Sequence, residues 1–201
     1  MREYMKSIIG NIALKKKLCD DILNGKLSHA LIIEGAHGTG RHTFALQTAA
    51  ALACESKSKD NSPLPCGTCP SCKKILSGLC CDIINIGRDG KATLGVDVVR
   101  FLKEDVRTFP NDLDFKLYVI EDADKMTEQA QNALLLTLEE PPSFVKFILL
   151  CENAELLLQT VRSRAPVLRT QGVTNEDLDT YLREHDVRAA QMKLSNPTEY
   201  A

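Results

Sequence analysis

Two hydrophobic periods take turns along this chain, and their order predicts a layered α/β fold. Residues 11–24 carry apolar side chains at helical spacing and run into Gly25, a helix and its stop. HALIIEG (29–35) is a short apolar run closed by glycine, the mark of a buried strand. RHTFALQTAAALAC (41–54) is alanine-rich and free of breakers, and predicts a helix. A polar loop follows at 57–65, then a short helix over 69–78. DIINIG (82–87), KLYVIED (116–122) and VKFILLC (145–151) predict three further strands. The helix expected over 96–109 places Val96, Val99, Leu102 and Val106 on one face, with Pro110 beyond it. The helix over 127–142 has Thr127 as its cap and two prolines as its end. SRAPVLR (163–169) fits a fifth strand. Helix alternating with strand in this way implies a mostly parallel sheet. A change of character near residue 170 divides the chain into a base, 1–170, and a helical segment, 171–201, with helices at 175–184 and 186–195.

Composition narrows the classes. The chain has 201 residues, 44% hydrophobic and 26% charged, with a net charge of −2. A protein that grips nucleic acid alone, through phosphates, is usually basic, so little DNA binding is expected of this chain by itself. No stretch has the length of a membrane span and the first residues lack a secretory apolar run, so a cytoplasmic protein is expected.

The first candidate for chemistry is GAHGTGRHT (35–43). It sits between a strand and a helix, where backbone N–H groups and the positive helix end meet an anion. Gly35 and Gly40 hold the spacing of a phosphate loop, with Gly38 between them, but Arg41 stands at the lysine position and His42 at the hydroxyl position. The same glycines would also make a tight turn with no ligand. Arg41 keeps a charge but replaces a compact ammonium with a planar fork. His42 has no hydroxyl for Mg²⁺, and Thr43 points about 100° away on the helix. The expectation is a retired nucleotide site, with ATP or ADP binding weak or lost. A working site also needs carboxylates at a neighbouring strand end. Glu121 and Asp122 supply them in inverted order, with the shorter arm second.

The second candidate is a set of four cysteines, Cys54, Cys66, Cys69 and Cys72, spaced C-x₁₁-C-x₂-C-x₂-C. Four thiolates converging this way match a closed structural zinc site, the alternative being free or redox thiols. Cys80 and Cys81 lead into the second strand, and Cys19 and Cys151 sit in apolar patterns as core residues.

SIIGN (7–11), LSHALIIEG (27–35), GTGRHT (38–43), the four cysteines, YVIEDADKMTEQAQNALLLTLEEPP (118–142) and RSRAP (162–166) fall in an order that resembles the bacterial clamp-loader subunits of the AAA+ class. The departures at Arg41, His42 and the inverted acidic pair make the chain most similar to the delta-prime type of DNA polymerase III. That resemblance implies a P-loop NTPase-like base with a five-stranded parallel sheet, a zinc module inserted at 54–72, and the start of a helical lid, with no counterpart of the family's collar. It implies a non-hydrolysing subunit beside gamma/tau motor subunits and delta, loading a sliding clamp on primed DNA through the complex. It also implies that Arg164, in a Ser-Arg-Ala version of the family's Ser-Arg-Cys motif, reaches a neighbour's ATP as an arginine finger. A weak gamma/tau-type ATPase and a zinc-bearing DNA-binding module are the alternatives.

Overall fold

A computed structural model describes residues 3–58, 62–88 and 90–185. The expected helix over 186–195 lies outside them. The elements run α1 (Ile12–Leu23), β1 (Ala30–Glu34), α2 (Arg41–Leu52), α3 (Pro70–Leu76), β2 (Ile83–Ile86), α4 (Val96–Asp105), β3 (Lys116–Ile120), α5 (Glu128–Glu139), β4 (Val145–Cys151), α6 (Gln159–Arg162), β5 (Val167–Arg169) and α7 (Asn175–His185). The strands form one sheet in the order β2-β3-β4-β1-β5, and every pairing is parallel. β1 lies at the centre of its neighbours, with Ile32 level with Leu149 on one side and Val167 on the other.

The apolar runs of β1, β3 and β4 are nearly continuous because both faces of these strands are covered. Leu31, Ile33, Leu117, Val119, Ile148 and Leu150 point to one side and pack with Leu18, Phe44 and Ile75 from α1, α2 and α3. Their neighbours Ile32, Tyr118, Ile120, Phe147 and Leu149 point to the other side, against Val99, Leu102 and Leu134 from α4 and α5. Each of these buried side chains contributes about 1.5–3 kcal/mol relative to an exposed one.

The helix ends differ from expectation for local reasons. α4 stops at Asp105 rather than 109 because the Asp105 carbonyl accepts bonds from Thr108 N–H (3.0 Å), the Thr108 hydroxyl (2.8 Å) and Lys116 Nζ (3.3 Å). Lys116 is 4% exposed, and its Nζ also donates to Asp105 Oδ2 at 3.0 Å and Thr108 Oγ1 at 2.6 Å. Tyr118 donates to the same Oδ2 at 2.7 Å. The buried ammonium is therefore fully partnered, the condition under which a charge is tolerated in a core. α5 is capped as expected, Thr127 accepting from Ala130 N–H. It ends at Glu139 rather than 142, since Glu140 precedes a proline and leaves the helical region (φ −134°, ψ 65°). The fifth strand is only three residues long, because Ser163–Ala165 form the turn that follows α6. α7 opens with reciprocal bonds between Thr174 and Asp177, a threonine cap answered by an acid three positions on.

Candidate functional site: a self-neutralised glycine loop, a four-thiol cluster and an edge arginine

The loop between β1 and α2 keeps the backbone of a phosphate cradle. Gly38 (φ +82°) and Gly40 (φ +79°) take left-handed conformations that disfavour any side chain. Gly40 opens α2 with no side-chain cap, so the N–H groups of the first turn face a cleft of about 620 Å³. Its walls include Gly38, Gly40, Arg41, His42, Glu121 and Asp122, so both predicted halves of the site come together. Thr43 is half-buried and outside that wall. Gly35 lies beneath the loop and not in the cleft lining: a Cβ there would stand 1.9 Å from Thr170 Oγ1 and 2.6 Å from Thr39 Oγ1. Those two hydroxyls are 2.8 Å apart, so one donates to the other while the acceptor's own hydrogen goes to a backbone carbonyl, Glu34 O from Thr170 or Ala36 O from Thr39. The residue just past β5 thus braces the loop from below.

Arg41, His42, Glu121 and Asp122 of the cleft wall each lie against a partner of their own chain. Arg41 is only 13% exposed, and its Nη2 lies 3.7 Å from Glu152 Oε1. Its Nη1 is buried and has no partner among the described residues. His42 Nε2 is 3.4 Å from Glu121 Oε1. Arg88 Nε donates to Asp122 Oδ2 at 2.8 Å, while its Nη1 reaches the carbonyls of Lys91 and Ala92. Asp122 itself is left-handed (φ +48°), a conformation aspartate tolerates. Arg41 and the His42 imidazole, at the lysine and hydroxyl positions, therefore face carboxylates of their own chain, which oppose a polyphosphate entering the cleft.

The four predicted cysteines converge. Their sulfurs all lie within 4.8 Å of one another, and Cys66 and Cys72 Sγ are 3.9 Å apart. Four sulfurs bound at about 2.3 Å to one tetrahedral Zn²⁺ would be about 3.8 Å apart. Cys69 caps α3, its sulfur accepting from Cys72 N–H, and Pro70 occupies the first helical turn. Burial opposes the Cys66 thiolate, but the N–H groups of Cys69 and Thr68 and the Thr68 hydroxyl bring it down to about 5. Burial drives Cys54 and Cys72 the other way. The donor set, its spacing and its N–H support fit a structural zinc. Leu64, in the intervening loop, exchanges backbone bonds with the N-terminal segment: Met5 N–H donates to its carbonyl and its N–H donates to Glu3.

A second grouping, Cys80, Asp82 and Asp112, is close enough for a metal but is otherwise employed. Asp82 accepts from the N–H groups of Asn111, Asp112 and Leu113 at 2.6–2.9 Å and so ties that loop to the start of β2. Lys74 holds Asp112 at 2.6 Å.

Arg164 sits in the turn before β5, at the opposite end of that edge strand from the glycine loop. Its Nη1 donates to Thr160 O (2.8 Å) and Ser163 Oγ (3.3 Å), and its Nη2 to Glu139 Oε1 (2.5 Å). Its neighbour Arg162 is turned away to Glu155 at 2.8 Å. Arg164 is not a loose surface charge.

Sequence reasoning missed several participants. Arg88 reads as a scattered surface charge but holds Asp122. Glu34, just before Gly35, accepts from Ala154 N–H and Arg169 Nε, and those contacts hold its carboxyl below the usual range. The Thr39–Thr170 bridge spans 131 positions. Only Glu34 carried a local signal, an acid beside the loop. His29, just before β1, makes a structural contact, its Nε2 lying 2.8 Å from Leu138 O.

Known proteins bear on this arrangement. The chain is 33% identical over 181 residues to the DNA polymerase III subunit gamma of Buchnera aphidicola subsp. Schizaphis graminum, covering 90% of this chain and 48% of that one. It is 33% identical over 179 residues to subunit delta' of Bacillus subtilis, covering 89% of this chain and 53% of the relative. It thus spans about half the length of these relatives. Among solved structures it resembles a DNA polymerase III gamma subunit-related protein of Thermotoga maritima, with TM-score 0.56, 21% identity, and 90% and 57% of the two chains covered. It also resembles the Thermotoga maritima RuvB Holliday junction branch migration motor, with TM-score 0.53, 18% identity, and 92% and 51% covered. Both likenesses show a shared AAA+ P-loop fold. Among the described residues no helix is long and apolar enough to cross a membrane. The family model described as "DNA polymerase III, delta subunit" matches residues 10–174, nearly the whole base with its glycine loop, cysteines and edge arginine. By that match the chain belongs to the DNA polymerase III, delta subunit family.

Proposed function

We propose that this chain is a delta-prime-type, non-hydrolysing subunit of a DNA polymerase III clamp loader. It holds the shape of the assembly and offers Arg164 to the ATP of a neighbouring gamma/tau motor subunit. The observation that carries this reading is the internal pairing of the cleft: Arg41 with Glu152, His42 with Glu121 and Arg88 with Asp122. A Mg·ATP site needs a loop cation on the phosphates and a carboxylate on the metal. Here the loop cation Arg41 faces Glu152, and the carboxylates Glu121 and Asp122 face His42 and Arg88 of their own chain. Delta, the sliding clamp and primed DNA are the further partners, DNA being met through the complex. Cys54, Cys66, Cys69 and Cys72 hold a structural zinc that shapes the 54–72 module.

The gamma-subunit likeness and the preserved loop backbone favour a second reading, a weak ATPase. One experiment separates the two. The purified full-length protein shows negligible ATP turnover alone, and in the assembled loader Arg164→Ala lowers the motor ATPase about 10³-fold or more while assembly is retained, as for a finger supplied in trans. Turnover at motor rates by the isolated protein, or an unchanged complex, refutes the proposal.

A further inference from the structure

Five N–H groups radiate from an arginine head, and a phosphate taken bidentately uses two of them. Around Arg164 three donations are accounted for: two from Nη1, to Thr160 O and Ser163 Oγ, and one from Nη2, to Glu139 Oε1. Nε–H and the second Nη2–H have no acceptor among the described residues. The side chain as a whole is 33% exposed. Three contacts therefore fix the plane of the guanidinium while two donors stay available.

The three contacts are not alike. Thr160 and Ser163 lie on α6 and its C-cap, one to four residues from Arg164, and move with it. Glu139 is 25 residues away, at the C-terminal end of α5. It is held in place where the two prolines break that helix. It is the only one of the three that ties the arginine to a different element, and the only charged one.

We propose that Glu139 is the positioning residue of Arg164, an inference that rests on the finger role given above. Glu139 anchors Nη2 to the end of α5 and so aims the remaining edge of the guanidinium outward, toward the nucleotide phosphate of a neighbouring chain. Without the carboxylate the arginine keeps its charge and its local bonds but swings about α6, and each turnover must first recover the productive orientation.

The test uses the assembled loader with full-length subunits, measuring motor ATPase against ATP concentration for Glu139→Ala, Glu139→Gln and Arg164→Ala. A partly exposed pair of this kind supports a loss of about fivefold in kcat for Glu139→Ala. KM for ATP stays unchanged, since the ground-state nucleotide is held by its own subunit. Glu139→Gln, which keeps an oxygen acceptor, restores most of kcat. A damaged fold would change assembly and would not be rescued by glutamine; the amount of loader recovered by gel filtration reports this directly. An unchanged kcat for Glu139→Ala, with Arg164→Ala still inactive, overturns the positioning role and leaves the finger standing. A raised kcat overturns it as well, since the carboxylate would then compete with the phosphate. An unchanged rate for Arg164→Ala removes the finger itself.

Discussion

Gly35→Ala tests why the first glycine of the loop is there. In a working phosphate site such a glycine lets backbone approach a ligand. Here its space is taken by the protein: an added Cβ would meet Thr170 Oγ1 at 1.9 Å, Thr39 Oγ1 at 2.6 Å and Thr170 Cβ at 3.3 Å. Thr170 is 8% exposed and has little room to retreat. Rotating its hydroxyl away breaks the 2.8 Å bond to Thr39 and the 3.1 Å bond to Glu34 O, at about 1 kcal/mol each. Forcing the overlap instead costs about 1–3 kcal/mol. Gly35→Ala is therefore expected to destabilise the protein by about 2–3 kcal/mol. Thr170→Ala alone costs about 1–2 kcal/mol for the same hydrogen bonds. The double variant loses the worst contact but keeps the 2.6 Å approach to Thr39 Oγ1 and a methyl at 3.3 Å, so it should cost less than the sum of the two single changes, with a coupling of about 1–2 kcal/mol. Urea unfolding of the four proteins, in the absence of nucleotide, gives the cycle. Additive losses, or a Gly35→Ala variant within about 0.5 kcal/mol of the parent, would refute a packing role for Gly35.

The other expectations concern the metal and the core. Elemental analysis should find about one zinc per chain, and Cys69→Ser, which removes both a ligand and the α3 cap, should lose it and loosen the Leu64 pairing with residues 3–5, read as faster amide exchange there. Burial raises the Asp105 carboxyl, but the bonds from Tyr118 and Lys116 outweigh that and hold it below the usual aspartate range. A depressed carboxylate stabilises above its unfolded value and loses that contribution as pH falls through the folded one. The advantage of the native protein over Asp105→Asn, about 3 kcal/mol near neutrality because Lys116 loses its counter-charge, should thus shrink below about pH 4. A constant difference down to pH 2 would contradict it.

What the sequence made legible, and what it hid, divides by distance along the chain. Strands and helices were readable because period and breakers are local: Thr127 and the prolines at 141–142 bracket α5 to within a few residues. The cysteines were readable because three of the four share a seven-residue segment, and ligand spacing is nearly a covalent property. The state of the cleft was not. Substitution at Arg41 and His42 could be seen, but their pairing with Glu152 and Glu121 depends on how β1, β3 and β4 lie side by side. Arg88 looked unremarkable because its partner Asp122 is 34 residues further on. Boundaries erred where a side chain captured a helix carbonyl, as Lys116 and Thr108 do at Asp105.

β5 is three residues long, yet it joins the two ends of the molecule that matter here. Pro166 O accepts from Ile32 N–H and Thr170 N–H donates to Glu34 O, so the segment is laced to β1 over about 13 Å. The loop braced by Thr170 and the turn that carries Arg164 are thus the two ends of one short stretch of hydrogen-bonded backbone, and a change of register between β5 and β1 would displace both together.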